Sequence, residues 1–288
     1  MNAGATAITG LRVIADHFDH VLLDQWGTLH EGLAVFPDAH ECVVKLHEAG
    51  KRILILSNSG KRANSNQRRL TALGLPSDAY DGVLSSGEVT WRGLKAREHG
   101  PFAGLGNRCF LISRDGDRSI VDGLDLSVVD DVGDADFVLL AGLDDSAADP
   151  EQWRDRLTTA ARRKLLMLCA NPDLVMFGVN GLVPAPGALA AFYQRLGGRV
   201  TFVGKPHAPM FAAALERLEH PRPERILVIG DSLDHDIAGG RAAGMLTLLI
   251  GSGAHREILE RSSDPSHVIR NVAGAARMPH WTMQHLAW

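Results

Sequence analysis

The chain reads as an α/β protein built on parallel sheets flanked by helices. Two observations predict this. Short apolar runs alternate with amphipathic, helix-like stretches along the 288 residues. Several of those runs also end on a polar residue, where strands of an open α/β sheet meet their ligands. Two such sheets suit the length better than one.

Taken in order, Val21-Leu22-Leu23 is an apolar run ending at Asp24. A helix is predicted over residues 37–49, with Val43, Val44 and Leu46 apolar and Gly50 as its stop. Ile53-Leu54-Ile55-Leu56 reads as a buried parallel strand ending at Ser57. The polar turn Asn58-Ser59-Gly60 leads into a helix that runs to Leu73 and is stopped by Gly74 and Pro76. The middle third repeats the pattern, with strands predicted over 109–112, 137–141 and 165–169 and helices over 88–98, 150–163 and 187–196. The last third has strands over 200–203, 226–229 and 246–250 and helices over 208–218 and 237–243. The tail from Met278 to Trp288, with Trp281, His280 and His285, is expected to pack on its own core domain or on a neighbouring subunit, so a homodimer lies within the expectation.

Composition narrows the class. Hydrophobic residues make up 45% and charged residues 22%, enough apolar surface for a folded core. The net charge of −4 argues against a nucleic-acid partner. No apolar run approaches the length of a membrane span. The first twenty residues lack the basic start and apolar stretch of a signal peptide. Cys42, Cys109 and Cys169 stand apart and form no C-x-x-C pair, which makes the cytoplasm the expected compartment. Residues 119–153 contain many Asp and no Lys or Arg; this acidic stretch is expected to be a solvated face of a separate domain.

The polar residues just beyond the predicted strands are Asp24, Ser57-Asn58, Gly204-Lys205 and Gly230-Asp231. Each alone is an ordinary cap or turn residue. Together they supply two carboxylates able to hold Mg²⁺, an ammonium and a hydroxyl for phosphate oxygens, and a carboxylate able to accept a phosphoryl group. Other local patterns carry less. Ser59-Gly60-Lys61 lacks the upstream Gly of a P-loop, and Gly104-Leu105-Gly106 lacks the third Gly of a dinucleotide fingerprint. His17 and His20 have no third ligand for zinc.

Asp24-Gln25-Trp26-Gly27-Thr28-Leu29 resembles the first motif, D-x-D-G-T-L, of the haloacid dehalogenase-like (HAD) hydrolases. Ser57, Lys205 and the pair Asp231 and Asp236 match the second, third and fourth motifs in order. Ser57-Asn58-Ser59, Asn171-Pro172-Asp173, Pro186-Gly187-Ala188 and Gly204-Lys205-Pro206 are similar to NagD-like class IIA members, the p-nitrophenyl phosphatase group. The resemblance implies a Rossmann-like HAD core, residues 1–84 and 197–288, and an inserted α/β C2-type cap, residues 85–196, closing over the cleft. It implies an Mg²⁺-dependent phosphatase acting on a small phosphorylated metabolite through an aspartyl-phosphate at Asp24. Asp24, the backbone carbonyl at Trp26 and Asp231 would bind the metal, with Asp236 ordering its surroundings. Ser57 and Lys205 would contact the phosphoryl group, and Asn58, Asn171 and Asp173 the substrate.

The departure is Trp26, where the family has the Asp that protonates the leaving oxygen. Indole cannot exchange that proton. Three readings stay open: a substrate with a good leaving group, a substitute acid such as His30, His207 or His235, or a phosphate-ester binding or regulatory protein with weak or no catalysis. His30 and His235 are expected as loop residues at the surface, and Asp234 is a weaker alternative to Asp236. Phosphoryl transfer to an acceptor other than water is a further option. Dehalogenases also lack the second Asp but do not depend on Mg²⁺, and the acidic fourth motif here ranks that chemistry low.

Overall fold

The computed structural model describes residues 5–178, 181–254, 256, 269 and 272–288. The chain divides into two compact units, one of Met1–Ser57, Asn64–Leu84 and Lys205–Trp288, the other of Asn58–Ala63 and Ser85–Gly204. Both are α/β, each with its own parallel-strand sheet.

The first unit holds β1 (Thr6–Ala7), β2 (His20–Asp24), α1 (Pro37–Glu48), β3 (Arg52–Ser57), α2 (Ala63–Ala72) and β4 (Gly82–Ser85). The second begins with α3 (Ser86–Ala96) and continues through β5 (Arg108–Ile112), β6 (Ser127–Val128), β7 (Phe137–Leu140), α4 (Arg154–Arg162) and β8 (Leu166–Cys169). It ends with β9 (Val175–Gly178), β10 (Gly181–Pro184), α5 (Pro186–Arg195) and β11 (Arg199–Phe202). The chain then returns to the first unit with α6 (Ala208–Arg217), β12 (Ile226–Gly230), α7 (Ala238–Ala242), β13 (Leu246–Ile250) and β14 (Trp281–Met283).

In the first unit seven strands lie in the order β1-β14-β13-β12-β2-β3-β4. The central strands β12, β2 and β3 run parallel, with Leu23 opposite both Ile229 and Ile55 and with Asp24 opposite Leu56. Their residues are buried in succession rather than alternately, because helices cover both faces of a parallel sheet. Helix α1 shows how the sequence makes that cover. Pro37 opens it with its φ already suited to a helix, and Ala39, Cys42, Val43 and Leu46 recur at three- and four-residue spacing on the buried face. They pack with Val21, Leu23, Ile53 and Ile55 in one core cluster.

In the second unit five strands lie in the order β11-β8-β7-β5-β6, and β9 and β10 form a separate antiparallel hairpin. Val138, Leu140, Met167 and Cys169 pack with Leu157, Ala160, Leu189 and Tyr193 of α4 and α5. Helix α3 starts on a Ser-x-x-Glu signature, with Ser85 Oγ accepting from the Glu88 N–H at 3.1 Å.

The second unit differs from the expected 85–196 in two places. β11, expected in the sheet of the outer segments, pairs in parallel with β8, with Val200 opposite Met167. The second unit therefore extends to Gly204 rather than to residue 196, and it also takes in 58–63. The expected helix over 150–163 opens with a tighter turn, Pro150–Trp153, started by Asp149 accepting from the Glu151 N–H. The tail joins its own unit: β14 pairs with β13 and β1, and Leu286 is buried in the same core. Among the described residues no helix is long and apolar enough to cross a membrane. The three cysteines are free and buried, and burial pushes each thiol up to about 12.

Candidate active site

Asp24 is the last residue of β2, Ser57 the last of β3, and Asp231 follows the last residue of β12. Because the three strands are parallel neighbours, these residues emerge at one edge of the sheet. Asp236 is delivered to the same place by a π-helical turn, Leu233–Ile237, which Ser232 starts by accepting from the His235 N–H. Carboxylate oxygens of Asp24, Asp231 and Asp236 all lie within 4.8 Å of one another. The Lys205 ammonium donates to Asp24 Oδ1 at 2.5 Å and to Asp236 Oδ1 at 2.7 Å. Lys205 is 3% exposed and Asp236 1%, so these charges sit out of water.

Glycines make the room. A Cβ at Gly27 would stand 2.1 Å from Asp231 Oδ2, and one at Gly253 2.0 Å from the same oxygen. A Cβ at Gly230 would stand 2.1 Å from the Asp236 carboxyl carbon. Gly27 also has φ +77°, a conformation that side chains rarely adopt. The carboxylates are then fixed by backbone donors: Ala254 N–H reaches Asp231 Oδ2 at 2.7 Å, and Ser232 N–H reaches Asp236 Oδ2 at 3.2 Å.

Among the described residues three carboxylates face one ammonium, so the cluster is short of positive charge. Burial, and then the neighbouring Asp24 and Asp236, push Asp231 up to about 8. Burial pushes Asp24 up to about 6 against the pull of Lys205. Against the burial that would lower it, Asp236 and Asp24 hold Lys205 above its ordinary value. An all-oxygen, anionic donor set in a space kept clear by glycines suits a hard divalent cation. The two raised carboxyls give a consequence for stability. Between about pH 4 and pH 8 these two carboxyls bind more protons in the folded chain than in the unfolded one, so their contribution to the stability of metal-free protein falls as pH rises, while His20, His30, His207 and His280, lowered by burial, act in the opposite sense below about pH 7. Above about pH 7 the histidines are neutral in both states and Asp231 alone of these groups still titrates, so thermal unfolding in chelator should show a lower Tm at about pH 8 than at about pH 7. Added Mg²⁺ should raise Tm more at the higher pH, because binding requires the deprotonated ligands. A metal-free Tm that is flat or rising across this range would contradict the electrostatic picture.

Two family models match the chain. Residues 21–127 fit the haloacid dehalogenase-like hydrolase model and residues 202–275 a HAD-hydrolase-like model. A solved haloacid dehalogenase-like hydrolase from Brucella suis is 30% identical, with a TM-score of 0.80, covering 98% of this chain and 100% of its own. The chain belongs to the haloacid dehalogenase-like hydrolases. Chronophin from Mus musculus is 29% identical over 96% of this chain and 94% of its own length. The sugar-phosphatase AraL from Bacillus subtilis is 26% identical over 93% and 97%.

In this hydrolase the loop after Asp24 is built around Trp26. The indole is 39% exposed and meets the His30 ring edge-on, with centroids 5.6 Å apart. His30 is not at the surface as expected: it is 2% exposed, and its Nδ1 accepts the Gly32 N–H at 3.1 Å. Nε2 therefore carries the proton, and among the described residues it has no hydrogen-bond partner in its buried position. Burial, then Arg69, pushes His30 down to about 4, so the ring stays neutral near pH 7. Burial likewise lowers His207. Asp234 is exposed and pairs with Arg277, which removes it as an alternative to Asp236.

Asn58, Asn171 and Asp173 belong to the second unit. There Asn58 Nδ2 donates to Asp173 Oδ1 at 2.8 Å, and Asn171 Oδ1 accepts the Asp173 N–H at 3.0 Å. Sequence reasoning passed over Gly253, Gly32 and Arg69. Nothing in the sequence ties Gly253 to Asp231, or Gly32 and Arg69 to Trp26, because each pairing is made only in three dimensions.

Proposed function

We propose that this hydrolase is an Mg²⁺-dependent phosphatase of a small phosphorylated metabolite and works through an aspartyl-phosphate at Asp24. The observation that carries the reading is the buried cluster of Asp24, Asp231 and Asp236 around Lys205. Asp24, Asp231 and the Trp26 carbonyl would hold the metal. A bound divalent cation supplies charge neutralisation and polarises phosphoryl oxygens. Asp24 is the nucleophile: its carboxylate attacks phosphorus, and the bond from phosphorus to the ester oxygen breaks with its electron pair on that oxygen. Water then attacks the aspartyl-phosphate, freeing the carboxylate and inorganic phosphate and supplying the proton that the alkoxide takes. Lys205 screens the approach of the carboxylate to the phosphoryl group. Asp236 keeps the ammonium in place by accepting from it, and Ser57 donates its hydroxyl to a phosphoryl oxygen. Asn58 and Asp173, bonded to each other, shape the Asn171-Pro172-Asp173 turn. A cytoplasmic setting suits the three unpaired cysteines.

The test is a panel of phosphate esters assayed with Mg²⁺ and with chelator. Hydrolysis of at least one ester, lost with chelator and restored by Mg²⁺, is the expected result. Trp26 favours a second reading, a phosphate-ester binding protein with little turnover, because an indole, which cannot exchange a proton, occupies the motif position of the family's acid. Tight binding of esters without hydrolysis of any panel member would select it.

A further inference from the structure

The loop that follows Asp24 carries groups that phosphoryl transfer to Asp24 does not use. The Trp26 indole is held from three sides, all within the first unit. His30 meets it edge-on. Gly32, with φ +95°, lies so close that a Cβ there would stand 2.9 Å from a ring carbon. The Arg69 guanidinium carbon is 5.9 Å from the ring centroid, and Arg69 Nη2 would be 3.5 Å from that same Cβ at Gly32. Arg69 is exposed, in the last turn of α2, and among the described residues no carboxylate stands within ion-pairing distance of it. A cation in a last turn suits the helix dipole. That placement does not account for a guanidinium brought against the side chain two residues beyond the nucleophile.

Three features then converge on one class of substrate, given the phosphatase reading on which this rests. The motif position that holds the proton donor for an alcohol leaving group carries the Trp26 indole, which cannot exchange a proton. The Arg69 guanidinium, a fork of donors matched to phosphate and with no carboxylate partner among the described residues, stands against the indole. An exposed aromatic surface lies beside it. We propose that Arg69 and Trp26 select organic diphosphates, with the distal phosphoryl group going to Asp24 and the proximal phosphate leaving toward Arg69. The bond between the distal phosphorus and the bridging oxygen breaks, and its electron pair stays on that oxygen. The monophosphate departs as a stable anion without taking a proton. Water then attacks the aspartyl-phosphate, releasing the Asp24 carboxylate and dihydrogen phosphate, which carries both water protons. Arg69 binds the leaving phosphate in the ground state and as it departs, and the indole lies against the organic group.

The experiment measures kcat/KM with Mg²⁺ for ADP, inorganic pyrophosphate and glycerol phosphate in the unaltered protein, Arg69→Gln, Arg69→Lys and Trp26→Leu, with thermal unfolding as the check on folding. Arg69→Gln should lower the two diphosphates about 10-fold and glycerol phosphate less than about 2-fold, the loss expected for one charge-assisted phosphate contact. Arg69→Lys should recover part of the loss, and Trp26→Leu should lower ADP relative to pyrophosphate. A parallel fall for all three substrates in Arg69→Gln would mark Arg69 as merely structural and overturn the inference. So would an unaltered protein that cleaves glycerol phosphate but neither diphosphate, which leaves the phosphatase reading standing. A protein that cleaves none of the three, nor any ester of the panel, overturns both.

Discussion

Asp24→Asn is expected to abolish hydrolysis, by on the order of 10⁴-fold or more, while the protein stays folded. The amide keeps the shape of the carboxylate but is a far weaker nucleophile and metal ligand. The fold should tolerate it well. Asp24 is held above its ordinary carboxyl range by burial, so the metal-free chain loses an unfavourable charge, and Lys205 keeps its second partner, Asp236. The measurement is kcat with saturating Mg²⁺ beside Tm in chelator. Loss of activity with an unchanged or raised Tm is the expected pair. A folded variant that keeps most of its activity would remove the covalent mechanism.

Trp26→Asp is expected to raise kcat/KM for alkyl phosphates, up to the roughly 10²–10⁴-fold range of general acid catalysis. For p-nitrophenyl phosphate, whose leaving group scarcely needs a proton, the gain should be small. The substitution also empties the space between His30, Gly32 and Arg69 that the indole fills. Some loss of stability should accompany it. The contrast between ester types, rather than either rate alone, isolates proton donation. An alkyl-ester rate that stays flat in a folded variant would mean that Trp26 is more than a missing acid.

Much of this site was legible in the sequence because parallel strands announce themselves as apolar runs and their ends as the polar residues that follow. Asp24, Ser57 and Asp231 were placed by that rule, and β13 and α1 by their apolar patterns. β11 was legible as a strand but not as a member of its sheet, since an apolar run does not say which neighbour it pairs with. The β9–β10 hairpin and β14 escaped because they are short and half-exposed, with pairing that long-range contacts decide. His30 was misplaced for a related reason. A polar loop residue reads as exposed, and only the fold shows the loop turning back so that Gly27 N–H donates to the His30 carbonyl and the ring is buried. The glycines around Asp231 and Asp236 illustrate the same limit: their spacing in the chain carries no sign that each leaves room for a particular carboxylate.

The most direct test of the account is to trap the intermediate. The protein is mixed with Mg²⁺ and p-nitrophenyl phosphate, quenched in acid during turnover, digested and analysed by mass spectrometry. The account predicts one added phosphoryl group on the peptide that contains Asp24, present only when Mg²⁺ is supplied and absent from Asp24→Asn. Steady release of p-nitrophenolate with an unmodified Asp24 peptide at every quench time, or with the phosphoryl group on another residue, would contradict it.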